Sequence, residues 1–284
     1  MTERLIITAA SAGFGRSLLA LLGSLDLNWP GHPDVLIYDL GLDASTLAAL
    51  RRHHIRVKRV PPFCAHWRKH FTWKLWCLHD APARDILWLD AGITVLAPLD
   101  DIFATIDRQG YFVVPNFQQL DWEASLAACA ACEVAPEFRL GKATLAGGLM
   151  GFRKSGVIAD VIAKANELAL VEKNLAATTT RHRHDQALIS LLLYKHLGDV
   201  TTADGIVYLG WDSPRQTRGQ KVWVHRRALD PIDQDHYVAA IGTQGPAYVP
   251  PVRHARTFRL REVPTRALRR ARRAFVKIYD GIND

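Results

Sequence analysis

Asp85-Ile-Leu-Trp-Leu-Asp90 sets four large apolar residues in a row between two carboxylates. A short apolar run without polar alternation reads as a strand buried on both faces, the kind found in parallel sheets. Residues 4–8 (Arg-Leu-Ile-Ile-Thr) and 35–38 (Val-Leu-Ile-Tyr) repeat the signal upstream. Between them, Ser11 serves as a candidate N-cap for an apolar-rich helix running to Leu25. Asp43 caps a second helix over residues 43–52, residues 55–60 alternate as a third strand, and residues 66–79 read as a helix rich in Trp, His and Lys. Past Asp90, strands are expected at 111–115 and 145–152, the latter interrupted by glycines. Helices are expected at 157–170 and 184–196, and short late strands at 205–209 and 221–225. Strands that alternate with helices imply an α/β fold with right-handed crossovers. The expectation is one domain over residues 1–250, with a mixed, mostly parallel central sheet flanked by helices, followed by a basic helical tail over 251–284.

At 284 residues, 49% hydrophobic and 23% charged, the composition is that of a globular chain and excludes disordered and collagen-like classes. The longest apolar runs, 18–22 and 188–194, fall far short of the ~20 residues needed to cross a bilayer. The first residues lack the apolar core of a secretory signal, so a cytoplasmic location is expected. Four cysteines without such a signal point to reduced thiols. Cys129 and Cys132 lie in Ala-rich helical sequence and read as small packing residues. Cys64/His66 and Cys77/His79 could offer four zinc ligands, but their spacing fits no common zinc module.

The net charge of +8 is uneven. Residues 253–277 hold ten Lys/Arg against Glu262, a net of +9, so the remainder sums to 8 − 9 = −1. Within the tail, Leu268, Ala271, Phe275 and Ile278 fall at helical spacing and form a narrow apolar stripe between arginines. That pattern suits an interfacial helix on an anionic membrane surface, over residues 253–279. The bland alternative is a helix packed back on the domain. Nucleic acid is not an expected partner, since no recognition motif for it accompanies the charge.

The first turn, Thr8-Ala9-Ala-Ser-Ala-Gly13-Phe-Gly15, occupies the place of a dinucleotide-binding loop, and Asp39 that of a ribose-binding acid. It resembles the glycine fingerprint of short-chain dehydrogenases. Ala9, however, stands where that family has its first glycine, and none of the seven tyrosines has lysine four positions on.

A second resemblance spans residues 4–227. Lys74 to Asp90-Ala-Gly92, then Ala146-Gly147-Gly148, then His184-Asp185-Gln186, then Val222-Trp-Val-His225 follow one another at separations of 57, 38 and 40 from Asp90 onward. This order resembles GT-A glycosyltransferases of the glycogenin and galactosyltransferase type, which have a Rossmann-like domain and take a sugar from a nucleoside-diphosphate donor. The resemblance implies a UDP-sugar donor, a glycan or lipid-linked acceptor, retention of configuration, and Mn²⁺ or Mg²⁺ under the diphosphate. Asp90 matches the first acid of the Asp-x-Asp metal motif and His225 the late metal histidine, while Gly92 stands in place of the second acid. Donor-nucleotide contacts are implied for Thr8, Ala9, Asp39, Lys74, Asp90, Gly92 and Arg226. Gly147, Gly148, His184 and Asp185 are implied around the sugars, and Asp185, Gln186 and Asp90 at the reacting centre. Arg215, Arg218, Arg226 and Arg227 are further candidates for carrying the diphosphate charge. Two rivals remain: an inactive nucleotide-sugar or glycan-binding protein, suggested by Gly92, and an NAD(P)-dependent oxidoreductase, suggested by the first turn.

Overall fold

The apolar runs become strands in the computed structural model, which describes residues 2–176, 184–201, 203, 207–209, 220–225 and 229–250. In chain order the elements are β1 (Thr2–Ala10), α1 (Gly15–Asn28), β2 (Val35–Asp39), α2 (Ala44–Arg52), β3 (Arg56–Arg59), α3 (Thr72–Asp80), β4 (Ala83–Leu89), β5 (Ile93–Val95) and α4 (Asp100–Gln109). Then come β6 (Tyr111–Gln119), α5 (Leu120–Glu123), α6 (Leu126–Ala131), β7 (Ala143–Arg153), α7 (Gly156–Ala169), α8 (His184–Leu197), β8 (Val207–Leu209), β9 (Val222–Val224) and α9 (Pro231–Ala240). The main sheet has the order β3-β2-β1-β4-β7-β6. β1 pairs in parallel with β2 and β4, and β2 with β3, whereas β7 runs antiparallel to both β4 and β6. A smaller sheet, β5-β9-β8, begins three residues after Asp90.

The period-2 geometry of a strand divides the core into two layers. Leu5, Ile7, Ala9, Tyr38, Trp88, Met150 and Phe152 pack with the apolar sides of α3, α7 and α8. Ile6, Ala10, Ile37, Leu87, Leu89 and Leu149 pack with α1 and α4 on the other face. Each fully buried Leu or Ile stabilises such a core by roughly 1.5–3 kcal/mol. The two carboxylates of the deciding stretch part company here. Asp85 is fully buried and takes two bonds from Arg153, its register partner across β4 and β7, at 2.8 and 3.0 Å. Burial alone would raise its pKa, but Arg153 and Arg84 hold the carboxyl below its ordinary value. That pair fixes how β7 lies on β4, and so what faces Asp90.

Several sequence expectations are corrected. The helix read over 66–79 begins only at Thr72, because His70 and Phe71 both have φ +54°, in the left-handed region that a right-handed helix cannot include. Ser11 makes no side-chain cap; a 3₁₀ turn (Ala12–Phe14) intervenes and α1 starts at Gly15. The third strand is a solvent-exposed edge of four residues. β5, α4 and α9 are elements beyond those expected, although α4 is amphipathic, burying Ile102, Phe103 and Ile106 at helical spacing. Cys129 and Cys132 are buried, and burial, reinforced by Cys129, pushes the Cys132 thiol up to about 12. Among the described residues no helix is long and apolar enough to cross a membrane. The tail at 251–284 lies outside the described residues.

α9 is seated by Gly23 of α1, whose added Cβ would lie 1.7 Å from the Tyr237 carbonyl oxygen. Backbone cannot yield there cheaply. Gly23→Ala is expected to destabilise the fold by about 3 kcal/mol, read as a lowered urea midpoint with an unchanged slope.

Candidate functional site

The carboxyl ends of β1, β2 and β4 open on one side of the sheet, where ligands bind in open α/β folds. Asp90 is the first residue past β4. Its backbone N–H donates to the Gly148 carbonyl at 2.9 Å. Its Oδ1 accepts from Lys74 Nζ at 2.9 Å and from Trp88 Nε1 at 2.8 Å. Lys74, on the first turn of α3, is only 5% exposed. It also donates to the Gly147 carbonyl at 2.9 Å and lies 3.8 Å from Asp185 Oδ2. Rings of Trp88, Phe71 and Trp73 stand 5.2, 5.8 and 5.8 Å from the ammonium, adding cation–π attraction.

Asp185 is the second residue of α8 and is 4% exposed. Burial, with Asp90 nearby, pushes its carboxyl up to about 6, against the opposing pull of Lys74. Burial would lower Lys74, but Asp90 and Asp185 outweigh it and hold the ammonium above its ordinary value. Gln186 follows; its buried amide Nε2 has no hydrogen-bond partner among the described residues. Such an orphaned donor is costly unless a ligand satisfies it. The paired glycines of β7 complete the arrangement. A Cβ on Gly147 would lie 3.6 Å from both Asp185 Oδ2 and Gln186 Oε1, and one on Gly148 3.3 Å from Asp90 Oδ2. Small residues here let the backbone approach the carboxylates.

The structure therefore brings Lys74, Asp90, Gly147, Gly148, Asp185 and Gln186 together. His184 adjoins them with φ +45°, its Nδ1 2.8 Å from the Leu175 carbonyl. Thr8 lies at the end of β1, its buried hydroxyl without a partner among the described residues, and Ala9 is in register with Tyr38 of β2. Asp39 Oδ1 is engaged by its own turn, accepting from the Gly41 and Leu42 amides at 2.7 and 2.6 Å. Arg215, Arg218, Arg226 and Arg227 lie outside the described residues. Sequence reading missed Trp88, although strand alternation puts it on the face of Asp90 two residues on. It also missed His70 and Phe71, hidden in an expected helix.

Mn²⁺ or Mg²⁺ is the ion the motif resemblance implies. The β5–β9 pairing does bring His225 to Gly92, its backbone N–H donating to the Gly92 carbonyl at 3.1 Å. The donor set nevertheless does not fit a hard divalent cation, which wants several oxygens. Asp90 Oδ1 already accepts from two donors, one of them an ammonium, and Gly92 brings no side chain. Among the described residues no three His, Cys, Asp or Glu converge on a metal position. The Cys-x-His zinc option fares no better, as His66 Nε2 is occupied by the Ala169 carbonyl at 2.8 Å.

No protein-family model and no curated protein matches the chain. Solved structures do. The galactosyltransferase LgtC in complex with donor and acceptor sugar analogs matches with TM-score 0.55 and 14% identity, over 85% of this chain and 97% of that one. The bifunctional glycosyltransferase WbbM, in its apo structure, matches with TM-score 0.57 and 10% identity, over 86% of this chain and 50% of that one. The chain thus spans about half the length of WbbM. These likenesses establish the fold: the protein has the GT-A architecture of glycosyltransferases, as its motifs led one to expect.

Removing Lys74 strips the buried Asp185 of its counter-charge. The raised pKa of Asp185 means the fold holds a proton that the unfolded chain releases between pH about 3.8 and about 6. Its contribution to stability is therefore present below that window and lost as pH rises through it. Lys74→Met is expected to cost about 3 kcal/mol at pH 8 and clearly less at pH 5, where Asp185 is protonated. Denaturant titrations at both pH values check this; an equal loss at both contradicts it.

Proposed function

We propose that the protein is a glycosyltransferase that takes a sugar from a nucleoside-diphosphate donor, a UDP-sugar by the motif resemblance, and delivers it to a saccharide acceptor with retention. One observation carries the reading: a buried ammonium bridges Asp90 and Asp185 at the carboxyl edge of a GT-A sheet, beside an amide of Gln186 that has no partner among the described residues. The relatives in the comparison, one of them holding donor and acceptor sugar analogs, favour the same chemistry.

In the proposed reaction the bond between the anomeric carbon and the diphosphate oxygen breaks, and its electron pair leaves with the diphosphate. Positive charge then builds on the sugar ring. Asp185, ionised above pH about 6 and 3.8 Å from Lys74, offers its carboxylate to that charge. Gln186 would donate its amide to a donor-sugar oxygen and hold the anomeric carbon in place. The acceptor hydroxyl forms the new C–O bond and its proton passes to the departing diphosphate. Lys74 orients Asp90 and Asp185 and favours the ionised form of Asp185. The exposed side of Asp90, beside Gly148, is assigned to a donor hydroxyl. No divalent ion is assigned to the diphosphate, whose charge falls to cationic side chains such as Arg226. The basic segment 253–279 is assigned to an anionic membrane surface carrying a lipid-linked acceptor.

Calorimetry with UDP, GDP, CMP and NAD, in Mn²⁺ and in EDTA, tests the reading. A nucleoside diphosphate is expected to bind with similar affinity in both media. Asp185→Asn is expected to lower donor hydrolysis at least 100-fold while leaving nucleotide affinity within about threefold. Binding of NAD with no response to any nucleoside diphosphate would overturn the proposal. Tight UDP binding with no hydrolysis or transfer on any donor tried would make the protein an inactive nucleotide-sugar binder.

A further inference from the structure

Three residues next to the site are held in the left-handed region that side chains avoid: His70 and Phe71 at φ +54° and His184 at φ +45°. They come from two distant parts of the chain, yet their rings meet. His70 and His184 have ring centroids 4.9 Å apart, Phe71 and His184 5.9 Å, and Phe71 and Trp73 6.1 Å in an edge arrangement. Strained backbone of this sort persists only where the surroundings enforce it, and it gathers at functional sites. Here it turns Phe71 outward. Phe71 is 50% exposed, although it directly precedes α3 and its neighbour Thr72 is fully buried. Its ring centroid is 5.8 Å from Lys74 Nζ, the ammonium that joins Asp90 and Asp185.

A half-exposed phenyl ring beside an ammonium that itself joins two carboxylates suits one class of ligand well. A pyranose has a flat face of C–H groups, slightly positive, and a rim of hydroxyls. The face stacks on the negative π-surface of an aromatic ring while the rim meets charged and polar groups. We propose that Phe71 is the stacking floor for a pyranose ring of the acceptor, with His184 and Trp73 fixing the tilt of the phenyl. The inference rests on the glycosyltransferase reading and adds to it a residue that selects the acceptor. The acceptor is favoured over the donor sugar by depth. The donor's anomeric carbon belongs against Asp185, which is 4% exposed, whereas Phe71 stands further out, open to the molecule that arrives from solvent.

The test uses the full chain and saturation-transfer NMR at saturating UDP or GDP, with methyl β-D-galactopyranoside, methyl β-D-glucopyranoside and methyl α-D-mannopyranoside as probes. At least one probe is expected to receive saturation chiefly on the C–H groups of a single ring face. Phe71→Ala is expected to cut that signal at least fivefold, Phe71→Tyr to retain it, and both to bind the nucleotide within twofold of the unaltered chain. The retained nucleotide affinity separates a lost floor from a lost fold. Nucleotide binding with no probe saturated, or with Phe71→Ala saturated like the unaltered chain, overturns the stacking role. Loss of saturation on the sugar of a bound UDP-sugar, with the free probes unaffected, assigns the ring to the donor and overturns the acceptor role. Failure of the unaltered chain to bind either nucleotide overturns the transferase reading itself.

Discussion

Lysine gives up strong hydration when its ammonium is buried, so a protein keeps one inside only where opposite charge and hydrogen bonds replace the water. At Lys74 the replacement comes from three separate parts of the chain: Asp90 after β4, the Gly147 carbonyl on β7, and Asp185 on α8. None of these is near the others in sequence. The ammonium can be satisfied only if β4 lies between β1 and β7 and α8 packs on the same face as α3, which is the observed topology. Site and fold therefore depend on one another. The Asp85–Arg153 pair at the other end of β4 sets the strand register that makes the meeting possible.

The same interaction divides labour between two carboxylates. Asp90, with one oxygen held by Lys74 and Trp88 and its side chain 40% exposed, is anchored but open to solvent on its other side. Asp185 is buried, and desolvation raises its pKa to about 6 even with an ammonium 3.8 Å away. Two acids in one site with different environments are the usual basis for two different tasks. Gly92 belongs to the same logic. An ammonium already sits on Asp90 and no acid stands two residues on, so among the described residues a divalent metal finds no adequate set of ligands.

Much of this was legible in the sequence. The apolar run at 86–89 announced a buried strand, and its terminal Asp90 pointed to the cleft. The motif order added Lys74, Gly147, Asp185 and Gln186, which the fold does bring together. What could not be read were effects that exist only in three dimensions. Trp88 donates to Asp90 because their strand face is turned toward α3, a fact local periodicity states but does not value. The left-handed backbone at His70 and Phe71 has no marker, since neither residue is Gly or Asn, and helical composition masked it. That Asp39 commits one carboxylate oxygen to the Gly41 and Leu42 amides of its own turn is likewise visible only in the folded chain. The helix α9 is seated by a glycine contact with Tyr237 that no sequence window contains.

The central claim is that Lys74 and burial together set the charge of Asp185. Carboxyl ¹³C NMR of labelled Asp185 measures it directly, using Asp185→Asn for assignment. The account predicts a titration midpoint of about 6 in the unaltered chain, moving to higher pH in Lys74→Met. A midpoint near 4, the ordinary aspartate range, and unmoved by the loss of Lys74 would contradict it.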